Sequence, residues 1–335
     1  MRTKYARLTS VALASAALLG CDPGSPTRAL GDFNTIVVLV TDSLWAEVGD
    51  SLSAALEPRV FTTRNERTFE VEQMSPLDPR WEQLRGFVQV LSIGVPGDGW
   101  ISPVTGTDAV QPPTIVQRSD VWTRGQLVTA LVVSPGNAAG DVLALADSLG
   151  RTYDSLFRRY VGQRMFASGP NTELRDSLVA RYGFGITIPN VYNPVAADDS
   201  VRVFRSDAQI GGTLFRSVAI ARRDGVHAAD AQSALDWRDQ LAAVYYTRPP
   251  QTTTRDTLIT GTLPDGGVEV QGIWESADTS FPEAGVFITR MIPCPDRNQT
   301  YLLDAWLLAP GRNKVEYMIQ FQTILDSFAC SGAQS

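Results

Sequence analysis

The chain has 335 residues, of which 44% are hydrophobic, 9% aromatic and 19% charged, a globular rather than a disordered composition. Formal net charge is −7; without the first 20 residues it is −10, from 26 basic against 36 acidic side chains, so the basic footprint of a nucleic-acid binder is missing. One histidine and three cysteines exclude a histidine-rich metal site and a zinc ribbon, and no run of about 20 apolar residues is present to cross a membrane as a helix.

In chain order, residues 1–20 read as a signal peptide. Arg2, Lys4 and Arg7 form a positive start, and Val11 to Leu19 is a nine-residue apolar stretch, too short to span a bilayer. The segment ends in Leu18-Leu19-Gly20-Cys21, which resembles the lipobox of bacterial lipoproteins. The resemblance implies cleavage before Cys21, a diacylglyceryl group on its thiol and an acylated amine, and two or three acyl chains anchor stably where one does not. Residues 21–31, with Asp22-Pro-Gly-Ser-Pro-Thr27, form a short polar tether. Two cysteines then remain, Cys294 and Cys330. An exported compartment permits a bridge between them, and two buried thiols are the alternative.

Asn34 to Val40 is an apolar, β-branched run and reads as a buried strand. Residues 42–57 read as a helix with Val48, Leu52 and Leu56 on one face, ended by Pro58. Thr68 to Met74 alternates as a strand, Asp78 to Leu84 opens like a short helix, and Phe87 to Ile93 is a further strand. Gly94 to Pro113 is rich in glycine and proline and is expected to be a loop, followed by one strand over Asp120 to Val133. Asn137 to Phe166 is a long amphipathic helix. Ser168-Gly-Pro-Asn171 divides the body into lobes at 32–168 and 169–330.

The second lobe opens with a helix over Thr172 to Tyr182 and a strand over Tyr182 to Pro189. Val201 to Phe204 and Leu214 to Ala221 are expected to pair. Ala228 to Tyr246 is a helix, three long alternating strands fill Val268 to Leu308, and Lys314 to Phe328 closes as a helix. The links between the three strands are too short for helical crossovers, so they form an antiparallel meander. The fold class is α+β, with two mixed lobes and an antiparallel, helix-covered sheet in the second. The order of elements in that lobe also resembles PsbP-like sandwiches.

Beyond element order, several blocks carry a family pattern: Ile36-Val-Val-Leu-Val-Thr-Asp-Ser-Leu-Trp45, Phe69 to Pro76, Asp120 to Gln126, Tyr182-Gly-Phe-Gly-Ile-Thr-Ile-Pro189, Trp237-Arg-Asp239, Gln271-Gly-Ile-Trp274 and Trp306 to Pro310 with Asn313-Lys314 behind. Over residues 31–328 the chain resembles an uncharacterised bacterial lipoprotein family, domain of unknown function 4837. It departs from that pattern at Arg85-Gly86 and at Gln271, where the family carries arginines. The resemblance implies no activity and supplies no catalytic residues.

One enzymatic pattern stands beside this. Gly49-Asp50-Ser51-Leu52 spells the nucleophile block of a Gly-Asp-Ser-Leu ester hydrolase, and Thr41-Asp42-Ser43-Leu44 sits directly after a buried strand, where such a nucleophile belongs. Asn171 in Gly169-Pro-Asn171 would donate to the oxyanion, His227 would take the serine proton and Asp224 would orient it. Against it, Ser51 lies inside a helix explained by packing, the second lobe reads antiparallel where that hydrolase fold is parallel, and His227 reads as a loop residue. The acids Asp198, Asp199, Asp230, Asp236 and Asp239 are scattered rather than set in a calcium loop, and no phosphate loop occurs. Trp100, Trp122, Trp274 and Trp306 would line a sugar groove or, with three of them in or beside strands, pack in the core.

The expectation is therefore a lipid-anchored module on the periplasmic side of a bacterial envelope membrane. It binds an envelope protein or ligand and uses no cofactor and no metal. The alternative is a lipid-anchored hydrolase using Ser51 or Ser43 with His227.

Overall fold

The computed structural model describes residues 27–106, 110–208, 213–278, 280 and 282–331. The segment read as a signal peptide and Cys21 lie outside these. The first lobe runs β1 (Thr35–Leu39), α1 (Asp42–Leu56), β2 (Arg59–Phe61), β3 (Asn65–Arg67), β4 (Glu70–Met74), α2 (Trp81–Leu84), β5 (Gln89–Gly94), α3 (Ser102–Thr105), β6 (Thr114–Ser119), β7 (Leu127–Val132) and α4 (Ala138–Met165). Its main sheet has the order β4-β1-β5-β7-β6. The first four strands of that order are parallel and β6 is antiparallel to β7.

The unbroken apolar run of β1 follows from burial on both faces. Side chains alternate along a strand, so Ile36 and Val38 pack under α1 and α4 while Val37 and Leu39 enter the opposite core with Ile101 and Val104. The long helix α4 keeps Val142, Ala146, Leu149, Tyr153, Phe157 and Val161 on its buried stripe. Leu143 of the same helix is 47% exposed. The expected single strand over 120–133 is instead the turn and second strand of a hairpin. Asp120 takes a left-handed φ of 57° and Gly125 a φ of 83°, and these break the extended run. The stretch 94–113, expected to be loop throughout, contains the short helix α3.

The second lobe runs α5 (Thr172–Tyr182), β8 (Asn193–Ala197), β9 (Val201–Ala208), β10 (Leu214–Asp224), α6 (Ala231–Tyr245), β11 (Gln251–Thr253), β12 (Ile259–Thr262), β13 (Val268–Ser276), β14 (Ala284–Cys294), a 3-10 turn (Pro295–Arg297), β15 (Gln299–Leu308) and α7 (Val315–Asp326). Its eight-stranded sheet has the order β11-β13-β14-β15-β10-β9-β8, with β12 also on β13, and every pairing is antiparallel. Alternation again divides the core. Ile288, Leu303 and Leu307 face α7, while Phe287, Leu302 and Trp306 face α6. The architecture is thus α+β in two lobes, one mixed sheet and one antiparallel sheet.

Tyr182–Pro189 is not a strand. Gly183 ends α5 at a φ of 74°, and the following residues alternate inward as Phe184, Ile186 and Ile188. Their neighbour is the tail after α7, reached through the isolated bridge Gly185–Ala329, so the alternation reports burial without a sheet partner. The same tail carries Cys330, whose sulfur is bonded to Cys294 at the end of β14, with Cα atoms 5.7 Å apart.

Helix α7 joins the lobes. Val315 and Ile319 enter the first-lobe core, and Met318, Phe321, Ile324 and Leu325 enter the second. Glu66 on the β2–β3 hairpin is buried and accepts the backbone N–H of Lys314 at 2.6 Å, with the Lys314 ammonium 3.6 Å away. Apart from Lys4, Lys314 is the only lysine in the chain.

Candidate functional site

Strands β1, β5 and β7 end at the same edge of the parallel sheet. The chain leaves β1 towards β4 on one side, while β5 lies on the other, so their carboxyl ends frame a topological switch point. A cavity of about 620 Å³ opens there. Thr41, Ser43, Leu44 and Glu47 from the start of α1 form one wall, Val95, Asp98 and Trp100 after β5 a second, and Pro135 to Gly140 at the start of α4 a third.

Each wall is held by specific bonds. Thr41 Oγ1 accepts the Leu44 N–H at 3.4 Å and caps α1. Asp98 Oδ2 accepts the Val95 N–H at 2.8 Å, and the Trp100 indole donates to the Ile93 carbonyl at 3.0 Å. These two side chains fold over Gly94 so closely that a Cβ there would overlap the Asp98 carboxylate. Asp141 Oδ2 accepts the Ser134 N–H at 2.7 Å and Oδ1 accepts the Asn137 amide at 3.0 Å, which fixes the turn into α4. The Ser134 bond, followed by that of Asn137, holds the Asp141 carboxyl below the usual carboxylate range.

Asn137 makes no side-chain cap to α4. The first-turn amides of Ala138, Ala139 and Gly140, which an α-helix leaves without internal partners, have no acceptor among the described residues and line the cavity. The positive ends of two helices thus meet an aromatic ring, with Glu47 and Asp98 also in the lining. Such a site suits a small ligand that accepts backbone hydrogen bonds and stacks on an indole.

The residues of the hydrolase pattern fall as follows. Ser43 is in the cavity wall, with Oγ 3.4 Å from Thr41 Oγ1. Ser51 is exposed on α1. Asn171 caps α5, its Oδ1 accepting the Leu174 N–H at 3.0 Å. Asp224 ends β10. His227 lies just beyond, its Nε2 2.9 Å from the backbone carbonyl of Asp224 and its own N–H donated to Thr300 Oγ1. Among the described residues no hydrogen bond joins either serine to His227, or the Asp224 carboxylate to the imidazole.

Of the four tryptophans considered for a sugar groove, Trp100 borders the cavity. Trp274 and Trp306 stack edge to face at 5.5 Å beneath α6, and Trp122 meets Trp81 at 5.2 Å. Among the described residues no three acidic, histidine or cysteine side chains gather to hold a metal, and no helix is long and apolar enough to cross a membrane. Sequence reasoning offered Trp100 only as one of four tryptophans for a sugar groove or the core, and missed Asn137 and Gly140 as site residues. Their signal was present in Pro135-Gly-Asn-Ala-Ala-Gly140, small residues directly after a buried strand.

Residues 171–327, just under half of the chain, match the model of a family described as Domain of unknown function (DUF4837). The match begins at the cap of α5, so the cavity lies in the lobe before it. No curated protein matches the chain. Among solved structures, the Saccharomyces cerevisiae Ran-binding protein Mog1p is similar over 44% of this chain and 90% of its own, at 10% identity and a TM-score of 0.31. A Bacteroides thetaiotaomicron protein is similar over 46% of each chain, at 6% identity and a TM-score of 0.26. Human StAR-related lipid transfer protein 5 is similar over 53% of this chain and 95% of its own, at 8% identity and a TM-score of 0.21. At these scores neither fold nor function carries over.

Proposed function

We propose that this chain is a lipid-tethered envelope protein that binds a small polar ligand in the carboxyl-edge cavity without covalent chemistry. One observation carries the binding reading: the switch-point cavity presents unspent first-turn amides of α4 beside the Trp100 ring. The tether reading rests on Arg2, Lys4, Arg7, the short apolar stretch and Leu18-Leu-Gly-Cys21. With diacylglycerol on Cys21 and an acylated amine, the body would sit on the periplasmic side of a bacterial membrane.

Native mass spectrometry of the chain purified from a bacterial envelope tests the binding reading. A small molecule retained by the wild type and lost from Ala139→Trp, which fills the cavity, is the expected result. A wild type that retains nothing, or retention equal in the variant, counts against it. Labelled palmitate should enter the wild type and not Cys21→Ser.

A second reading has one observation in its favour. Ser43 lies at the carboxyl edge, where an ester hydrolase places its nucleophile. It would require His227 to leave the Asp224 carbonyl and reach that serine, because proton transfer needs hydrogen-bond distance.

A further inference from the structure

The chain is acidic, yet four arginines gather at one corner of the second lobe around Tyr182. The Arg202 guanidinium stacks on the Tyr182 ring at 4.1 Å, and that of Arg222 lies 5.9 Å from the same ring. Arg297 donates from Nη2 to the Tyr182 carbonyl at 3.2 Å. Arg181 lies in the last turn of α5, one residue before Tyr182.

The backbone is shaped to bring them together. Register puts Arg202 of β9 opposite Ile220 of β10, so Arg222, two residues on, projects from the same face. Gly183 takes a left-handed φ, and a Cβ there would overlap the Arg297 guanidinium. Tyr182 itself sits at the edge of the second-lobe core, its ring 6.3 Å from that of Phe184.

Elsewhere arginines find carboxylates, as Arg158 does at Asp154, 2.8 Å away. Among the described residues none of these four has a carboxylate within ion-pair distance. The internal bonds of Arg202 and Arg222 go to backbone carbonyls, those of Val201 at 2.7 Å and Asp199 at 3.2 Å. Asp199 and Ser200 complete the notch between them. Burial first, then the charges of Arg222 and Arg181, hold the Arg202 guanidinium below its ordinary pKa. Guanidinium forks match phosphoryl oxygens in a bidentate manner.

We propose that Arg181, Arg202, Arg222 and Arg297 around Tyr182 form a binding site for a phosphoryl anion, separate from the carboxyl-edge cavity. The phosphoryl group belongs either to a soluble phosphate compound or to an anionic lipid headgroup.

Isothermal titration of the full chain in non-ionic detergent at low salt tests this. Pyrophosphate is the soluble probe; dihexanoylphosphatidylglycerol below its micellar concentration is the lipid probe, with dihexanoylphosphatidylcholine as its neutral control. Pyrophosphate, phosphatidylglycerol or both should bind the wild type. The Arg202→Gln/Arg222→Gln variant should weaken binding at least tenfold, and the exposed Arg297→Gln at least threefold. Arg151→Gln/Arg159→Gln on α4 should leave it unchanged. Pyrophosphate alone identifies a soluble phosphate; phosphatidylglycerol without phosphatidylcholine identifies a headgroup; either supports the site. No binding of either phosphate probe overturns it, as does equal weakening in the α4 variant. If the double variant fails to melt cooperatively, Arg297→Gln decides alone.

Discussion

Removing the Asp304 carboxylate should unfold the second lobe more readily than any single surface change. Arg238 of α6 and Asp304 of β15 are both fully buried, with Nε and Oδ1 3.1 Å apart. Asp304 also accepts the Thr289 hydroxyl and, at 2.7 Å, the Tyr246 hydroxyl. Arg238 donates to Thr253 at 2.6 Å and Gln251 at 2.8 Å, and its guanidinium lies 4.0 Å from the Phe287 ring centroid. One network thus pins α6 to β11, β14 and β15. Asp304→Ala leaves a guanidinium in a dry core without its counter-charge, which costs about 3–5 kcal/mol. A domain holds about 5–15 kcal/mol in all, so about a fifth or more is lost, and Tm falls by roughly 6–20 °C at about 2–4 °C per kcal/mol. Urea unfolding followed by tryptophan fluorescence reads this directly, because Trp274 and Trp306 lie in the same core. In a cycle of Arg238→Met, Asp304→Leu and the double variant Arg238→Met/Asp304→Leu, the coupling should exceed about 1 kcal/mol, since an apolar pair carries no stranded charge. A loss below about 1 kcal/mol for Asp304→Ala, or singles that add, would refute the reasoning.

Three further outcomes are expected. Burial raises the hydroxyls of Tyr153 and Tyr246, the latter also through the Asp304 charge, and pushes Tyr192 up to about 12. Their folded values exceed the unfolded value of about 10, so the stability they contribute is present below that pH and is lost as pH rises from about 10 through 12; urea midpoints should fall across that window and fall less steeply in Tyr192→Phe. The disulfide closes a loop with a sequence separation of 36, worth about 4 kcal/mol in the chain-entropy model, so Cys294→Ala/Cys330→Ala should lower the denaturation midpoint accordingly. At Gly150, where a Cβ would stand 2.5 Å from the Ala55 carbonyl oxygen, alanine should lower Tm through the α1–α4 crossing. Gly162→Ala, with its nearest neighbour at 4.0 Å, should raise Tm by the helix propensity of up to about 1 kcal/mol.

Much of the fold was legible because burial imposes periodicity. The 28-residue α4 stood out through its apolar spacing, and β13, β14 and β15 through alternation and short links. Edge strands were not legible. β8 contains Pro194, and β12 is exposed throughout, so neither carries an apolar run. Tyr182–Pro189 misled because two-residue alternation records burial against any neighbour. The Trp237-Arg-Asp239 block gave no hint that its arginine is the buried partner of Asp304, 66 positions away. The cavity was hidden for the same reason: residues 41–47, 94–100 and 135–140 meet because three parallel strands end together, a property of topology rather than of any local motif.

The central claim is that the chain binds without catalysing. Fluorophosphonate labelling of the folded full chain, with mass spectrometry of the adduct and with denatured and His227→Ala controls, tests it most directly. The account predicts no adduct at Ser43 or Ser51 that depends on the fold. Labelling at either serine that disappears in both controls would contradict it and identify an ester hydrolase.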